Sequence, residues 1–224
     1  MRFRIPFWSL VLWGILAGVL LPSSGAAQDL TLAVHPSSQF WIQGETTVNS
    51  FTCVVDSVEG GGGVPRNPSA SNADTLTVTV NVPVPAFDCG NRRMTEDLKE
   101  TLKVQQHRLI QFQPVHATVG SPPDTSRQWH SVHALGPLII AGTKRLVRIE
   151  AAGRLMGSGR FRVRGCTPVK MTYFGIDPPS KALGLIKVKN RVEVQFDLLA
   201  YVPEQGPPPT FDTIANRPPP TCND

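Results

Sequence analysis

The residues able to do chemistry are few and scattered. Five histidines (His35, His107, His116, His130, His133) and four cysteines (Cys53, Cys89, Cys166, Cys222) are the candidates for metal ligation or nucleophilic catalysis. No cysteine pair has the Cys-x-x-Cys spacing of a zinc or redox site. His130 and His133 stand three apart, which would share a helix face. Their segment reads as a loop entering a strand, so both are read as structural or solvent-facing and no shared metal is expected. Neither the His-Glu-x-x-His motif nor Gly-x-Ser-x-Gly occurs. Asp88, Glu96 and Asp97 are acidic neighbours, but they introduce a helix, whose dipole favours carboxylates in its first turn. The run Gly60–Gly63 lacks the Lys-Ser/Thr of a phosphate-binding loop and reads as a hairpin connection. Nothing here is positive evidence for an enzyme, and no cofactor or metal is expected.

The ends of the chain differ from its middle. Arg2 and Arg4 precede an apolar run, Ile5–Leu21, and the small residues Ser24–Ala27. That is the grammar of a secretory signal peptide covering 1–27, with an uncleaved anchor as the alternative. The predicted location is therefore periplasmic or secreted. From Pro203 to Asp224 there are seven prolines and few apolar residues, so 203–224 is expected to be an extended, largely disordered tail unless Cys222 pins it. Residues 28–202 form one domain. Four cysteines in an exported chain permit disulfides in three pairings.

The full chain has 22 basic and 17 acidic residues, and loss of Arg2 and Arg4 lowers the net charge to +3. Without a basic cluster interleaved with aromatics, nucleic-acid binding is not expected. Arg160, Arg162 and Arg164 alternate on one strand face. They read as a solvated outer surface, with weak contact to anionic lipid headgroups as the sharper reading. Association into a homodimer is left open.

The domain is built largely from alternating segments. Val192, Val194, Phe196 and Leu198 oppose Arg191, Glu193, Gln195 and Asp197, the period of a half-buried antiparallel strand. Thr75–Val84 alternates likewise, with Leu76, Val78, Val80, Val82 and Val84 on one face. Further strands are predicted at 30–34 with 39–43, 46–55 (paired with 75–84), 108–118, 132–141, 146–152, 160–166 and 169–173. Residues 57–74 read as a loop. One helix is predicted at Glu96–Val104, capped by Thr95, with Met94, Leu98 and Leu102 as its apolar stripe. A single amphipathic helix among strands must rest on a sheet or plug a barrel end. The loop after Tyr173 carries Phe174, Ile176, Leu183, Leu185 and Ile186, more apolar residues than a solvated turn needs, and reads as a lid. About eight sequential strands suit an up-and-down barrel able to hold one small ligand, although periodicity alone does not separate a barrel from a two-sheet sandwich.

Several stretches carry a family resemblance. MTYFGIDPP (171–179) followed by ALGLIKVKNRVEVQFDLL (182–199) resembles the end of a YceI-like domain. VPAFDCGNRRMTEDLKETLK (84–103), LGPLIIAGTKRLVRI (135–149) and GETTVNSF (44–51) agree in order, so the resemblance covers most of Phe40–Tyr201. It departs at Tyr173, where the family usually has an acidic residue, and at RLIQF (108–112), which lacks a proline. The resemblance implies a mainly β, lipocalin-like antiparallel barrel of about eight strands with one capping α-helix. It implies a ligand too: polyisoprenoids, isoprenoid quinones or related long-chain amphiphiles. Cys53 and Cys89 fall in FTC and DCGN, which resemble a subgroup of the family, implying a Cys53–Cys89 bridge and leaving Cys166 with Cys222.

The leading expectation is an exported carrier of such a lipid, held in an apolar cavity. The expected pocket walls are Val78, Val80, Phe112, Met171, Phe174, Leu185, Val194 and Phe196, with Phe174 and Leu185 on the lid-like loop. The competing expectation is an interaction module with a filled barrel that works through its Pro-rich tail.

Overall fold

The last strand of the domain, Arg191–Tyr201, is where the sheet closes. In a computed structural model that describes residues 30–64, 78–119, 129–157, 159–181, 185–203 and 222, it is the thirteenth strand, β13. The others are β1 (Leu30–Val34), β2 (Gln39–Glu45), β3 (Ser50–Val55), β4 (Glu59–Val64), β5 (Thr79–Pro83), β6 (Leu109–Phe112), β7 (His116–Val119), β8 (His130–Ile140), β9 (Thr143–Leu155), β10 (Arg160–Lys170), β11 (Ser180–Lys181) and β12 (Ile186–Lys187). One α-helix, α1, spans Arg92–Thr101. The expected signal peptide and, apart from Pro203 and Cys222, the Pro-rich tail lie outside the described residues.

Among the described residues, β1, β4, β5, β6, β8, β9, β10 and β13 follow one another as antiparallel neighbours, and β13 pairs back onto β1 through Ala33 with Tyr201 and Val34 with Ala200. Eight strands therefore close a barrel, which removes the exposed edges an open sheet would present. The β2–β3 hairpin adds to the other half of β13, from Gln39 opposite Asp197 to Gln43 opposite Glu193. The first strand is thus broken at His35–Ser38, and its two parts share β13. No helix among the described residues is long and apolar enough to cross a membrane.

The alternating faces resolve as the pleat requires. Val192 and Phe196 lie in the buried core, with Val194 and Leu198 packed against it, together with Phe40, Ile42, Val82, Ile110, Ile140 and Val169. The β8–β9 hairpin turns on Ala141 and Gly142, both at positive φ (46° and 81°). Two central residues with positive φ make the two-residue turn whose twist matches the flanking strands.

Several expectations need correcting. Gly60–Gly63 is part of a strand, not a loop: β4 pairs β1 on one side and β5 on the other. A Cβ on Gly61 would sit 2.6 Å from the carbonyl oxygen of Leu32, and one on Gly60 2.2 Å from that of Thr79. The glycines let three backbones approach closely, a use of glycine in strands that composition disguises as a loop. The expected pairing of 46–55 with 75–84 is therefore absent, because β4 takes that place. Residues 108–118 form two strands, interrupted at 113–115, and the 169–173 segment leaves the sheet after Lys170 as a 3-10 turn, Met171–Phe174.

The helix starts four residues earlier than the dipole argument suggests. Asn91 caps it, its Oδ1 accepting from the Met94 amide at 3.1 Å, so Arg92 and Arg93 occupy the first turn. The N-cap hydrogen bond outweighs the unfavourable charge of two exposed arginines. Thr95 instead accepts from the Cys89 amide at 3.0 Å.

The basic stripe on β10 is not a solvated face. Arg162 is 4% exposed and pairs with Asp197, which is 1% exposed. The outward faces of β2 and β13 are covered as well: Trp41, Gln195 and Leu199 are all buried. Cys222 is disulfide-bonded to Cys166 of β10, on this same face.

Candidate functional site

A cavity of about 620 Å³ opens at the end of the barrel that α1 covers. Its deep wall comes from inward-facing strand residues: Ile110 on β6, Leu138 and Ile140 on β8, Val169 on β10, Val192 and Val194 on β13, and Phe40 and Ile42 on β2. The roof on one side is the apolar stripe of α1, where Met94, Leu98 and Leu102 recur every fourth residue and so share a face. The other side is the segment after β10, through Met171, Phe174, Ile176, Pro179, Ile186 and Val188. Polar lining side chains are confined to the rim: Thr46 on the turn after β2, and Asn91, Arg93, Asp97 and Thr101 on or beside α1.

Local chemistry fixes both sides of the mouth. Asp88 pairs with Val54 in an isolated bridge, the amide of each donating to the carbonyl of the other at 2.7 and 2.9 Å. This places Cys89 beside Cys53, and the two form a disulfide with a Cα separation of 3.9 Å. The approach to α1 is thereby bonded to the β3 wall. A 3-10 turn at Val84–Ala86 separates β5 from this bridge, and Phe87 behind it packs edge-on against Phe40 at 6.0 Å.

On the opposite side, the turn at Met171–Phe174 ends on Gly175 at φ 67°, a left-handed position that favours glycine. It sends neighbouring aromatics in opposite directions. Phe174 is 2% exposed and enters the cavity wall; Tyr173 is 51% exposed, with the Arg145 guanidinium 5.0 Å from its ring and Arg145 Nε donating to its carbonyl at 2.8 Å. Asn190 holds the turn through two hydrogen bonds to Thr172. The segment 185–189, which contains β12, is then fastened to the turn after β2. Thr47 Oγ1 donates to the Leu185 carbonyl at 2.8 Å, Lys189 N donates to that of Glu45 at 2.8 Å, and Lys189 Nζ pairs with the Glu45 carboxylate. That hydrogen bond and the charge of Lys189 lower the pKa of Glu45.

Of the eight residues expected in the wall, the structure brings three together at the cavity: Met171, Phe174 and Val194. Phe196 is buried one inward step below Val194, and Val80 packs against the same core. Phe112 on β6 and Val78, just before β5, are partly buried and do not line the cavity, and Leu185 is 77% exposed at the rim. The walls that sequence reasoning left out are chiefly Phe40, Ile42, Ile110, Ile140 and Val192. Their signal is the same alternation that marked Val194; what alternation lacks is depth along the barrel.

No histidine is among the cavity-lining residues. Among the described residues, the one group of His, Cys, Asp or Glu close enough to share a metal is Cys166, Glu193 and Cys222, and its two cysteines are bonded to each other. The site offers apolar enclosure with polar groups at the entrance, the arrangement of a hydrophobic binding pocket.

Comparison with curated protein sequences finds no match. Among the similar solved structures are two with comparable scores. BcnA from Burkholderia cenocepacia aligns with a TM-score of 0.57 at 14% identity, covering 74% of this chain and 98% of its own. A polyisoprenoid binding domain from Saccharophagus degradans, implicated in plant cell wall breakdown, aligns with a TM-score of 0.57 at 14% identity, covering 78% of this chain and 99% of its own. Identity this low shows a common barrel fold. The YceI-like domain profile matches residues 32–200, three quarters of the sequence, and the chain belongs to the YceI-like domain family.

Proposed function

We propose that the protein is an exported carrier that sequesters a long-chain amphiphile, a polyisoprenoid or isoprenoid quinone, in the barrel cavity. The observation that carries this reading is the distribution of polarity. The deep wall is aliphatic and aromatic, whereas Arg93, Asp97, Thr46 and Thr101 stand at the rim. An amphiphile therefore enters tail first and leaves its head among the rim groups. Affinity comes from removing the hydrocarbon from water, at about 25 cal/mol per Å² of apolar surface. Membership of the family supports a lipid-like ligand, and the similar Saccharophagus domain is described as polyisoprenoid binding.

Two disulfides among the described residues support export to an oxidising compartment, periplasmic or extracellular. The competing reading, a filled barrel that works through its tail, is disfavoured by a cavity of about 620 Å³. Transfer of a fluorescent isoprenoid from vesicles tests the carrier reading. Wild type takes up the probe, whereas Ile140→Trp, which fills the wall from β8, does not. Equal uptake by a folded Ile140→Trp protein would contradict it.

A further inference from the structure

The wall of the cavity stops partway down the barrel. It includes Val194 on β13 and Ile110 on β6, and the next inward position on β13 is Phe196, which lies in the packed core. The Phe196 ring is pressed across Gly165 on β10: a Cβ there would lie 2.4 Å from Phe196 Cζ. The cavity under α1 thus ends at Phe196, whose ring lies over its register partner Gly165, with Val163 and Leu198 half-buried beyond it and packed against the same core. Close-packed side chains do not yield to an extra length of ligand without a substantial energetic cost.

We infer that this end of the cavity is a chain-length limit, and that the cargo is an amphiphile whose buried hydrocarbon amounts to about four or five isoprene units. The inference rests on the carrier reading and sharpens it. A cavity of roughly 150 Å³ takes one benzene ring; about 620 Å³ therefore takes around four six-carbon units, roughly two dozen carbons. A longer chain has to leave its surplus outside the mouth, in water or against the rim. Each methylene kept in water rather than buried forfeits about fourfold in affinity.

The test offers the full-length protein vesicles carrying an equimolar series of prenyl alcohols of two to eight units and reads occupancy by native mass spectrometry. Chains start fully immersed in lipid, so a limited cavity gives a maximum. Occupancy peaks at about four or five units, with the eight-unit alcohol at least about tenfold below the peak. Phe196→Leu, which withdraws Cζ, moves the maximum to longer chains, and Val194→Phe moves it to shorter ones. Occupancy that rises steadily to eight units, or a maximum unmoved by both folded variants, overturns the limit while leaving the carrier reading intact. Absence of binding at every length overturns both.

Discussion

Arg162 and Asp197 face each other across β10 and β13, with Arg162 Nε donating to Asp197 Oδ1 at 2.7 Å and a second bond between Nη2 and Oδ2. Arg164 Nε lies 3.4 Å from the same carboxylate. The pair is on the outer surface of the barrel, yet both side chains are nearly sealed from water. In that setting each charge depends on the other, since an isolated buried ion has no hydration to fall back on.

Asp197→Ala is therefore expected to destabilise the domain by about 3–5 kcal/mol, because it strands the Arg162 guanidinium. Replacing both partners, as Arg162→Met with Asp197→Leu, is expected to recover most of that loss. Urea unfolding of the two variants checks this. A single substitution costing under about 1 kcal/mol would mean that the pair is solvated in solution.

The sequence displays the alternation of 192–198 clearly, and the structure follows it. It does not display that Gln195, Asp197 and Arg162 would be buried, because alternation distinguishes two faces without saying what covers each. Asp197 finds its partner 35 residues away, a relation set by strand register and not by spacing. Gly60–Gly63 misled for a similar reason, since its role exists only between Leu32 and Thr79. At the cavity, the inward parity of Val194 and Phe196 was legible. That one lines the space and the other ends it depends on a ring lying over Gly165.

That ring predicts a coupling. Gly165→Ala puts a methyl into the Phe196 ring and is expected to cost about 1–3 kcal/mol by overpacking. In a Phe196→Leu background the same substitution should cost less, the 3.0 Å approach to the Glu150 carbonyl oxygen being what remains. A double-mutant cycle from thermal or urea unfolding reads the interaction directly. Additive effects would show that the ring does not cross Gly165.

The Cys53–Cys89 bridge closes 36 residues and secures the approach to α1. Loss of the constraint on the unfolded chain, in Cys53→Ser with Cys89→Ser, is expected to cost about 4 kcal/mol. Non-reducing peptide mapping should find Cys53 joined to Cys89 and Cys166 to Cys222. Any other pairing would contradict the placement of Cys89 beside β3.

Asn91 is the cap of the helix that roofs the cavity. Asn91→Ala is expected to lower stability by about 1 kcal/mol and, by loosening the first turn beneath Arg93 and Met94, to speed ligand release. Stopped-flow transfer of a fluorescent isoprenoid to acceptor vesicles measures the release rate. An unchanged rate in the destabilised protein would show that the roof opens elsewhere.

The central claim is that the cavity under α1 carries an amphiphile, and its most direct measurement is native mass spectrometry of the protein purified from the cells that make it. The account predicts one stoichiometric adduct that organic extraction releases as an isoprenoid chain or quinone, leaving the mass of the bare protein. A bare mass from the outset, with no uptake when isoprenoid amphiphiles are then supplied, would contradict it.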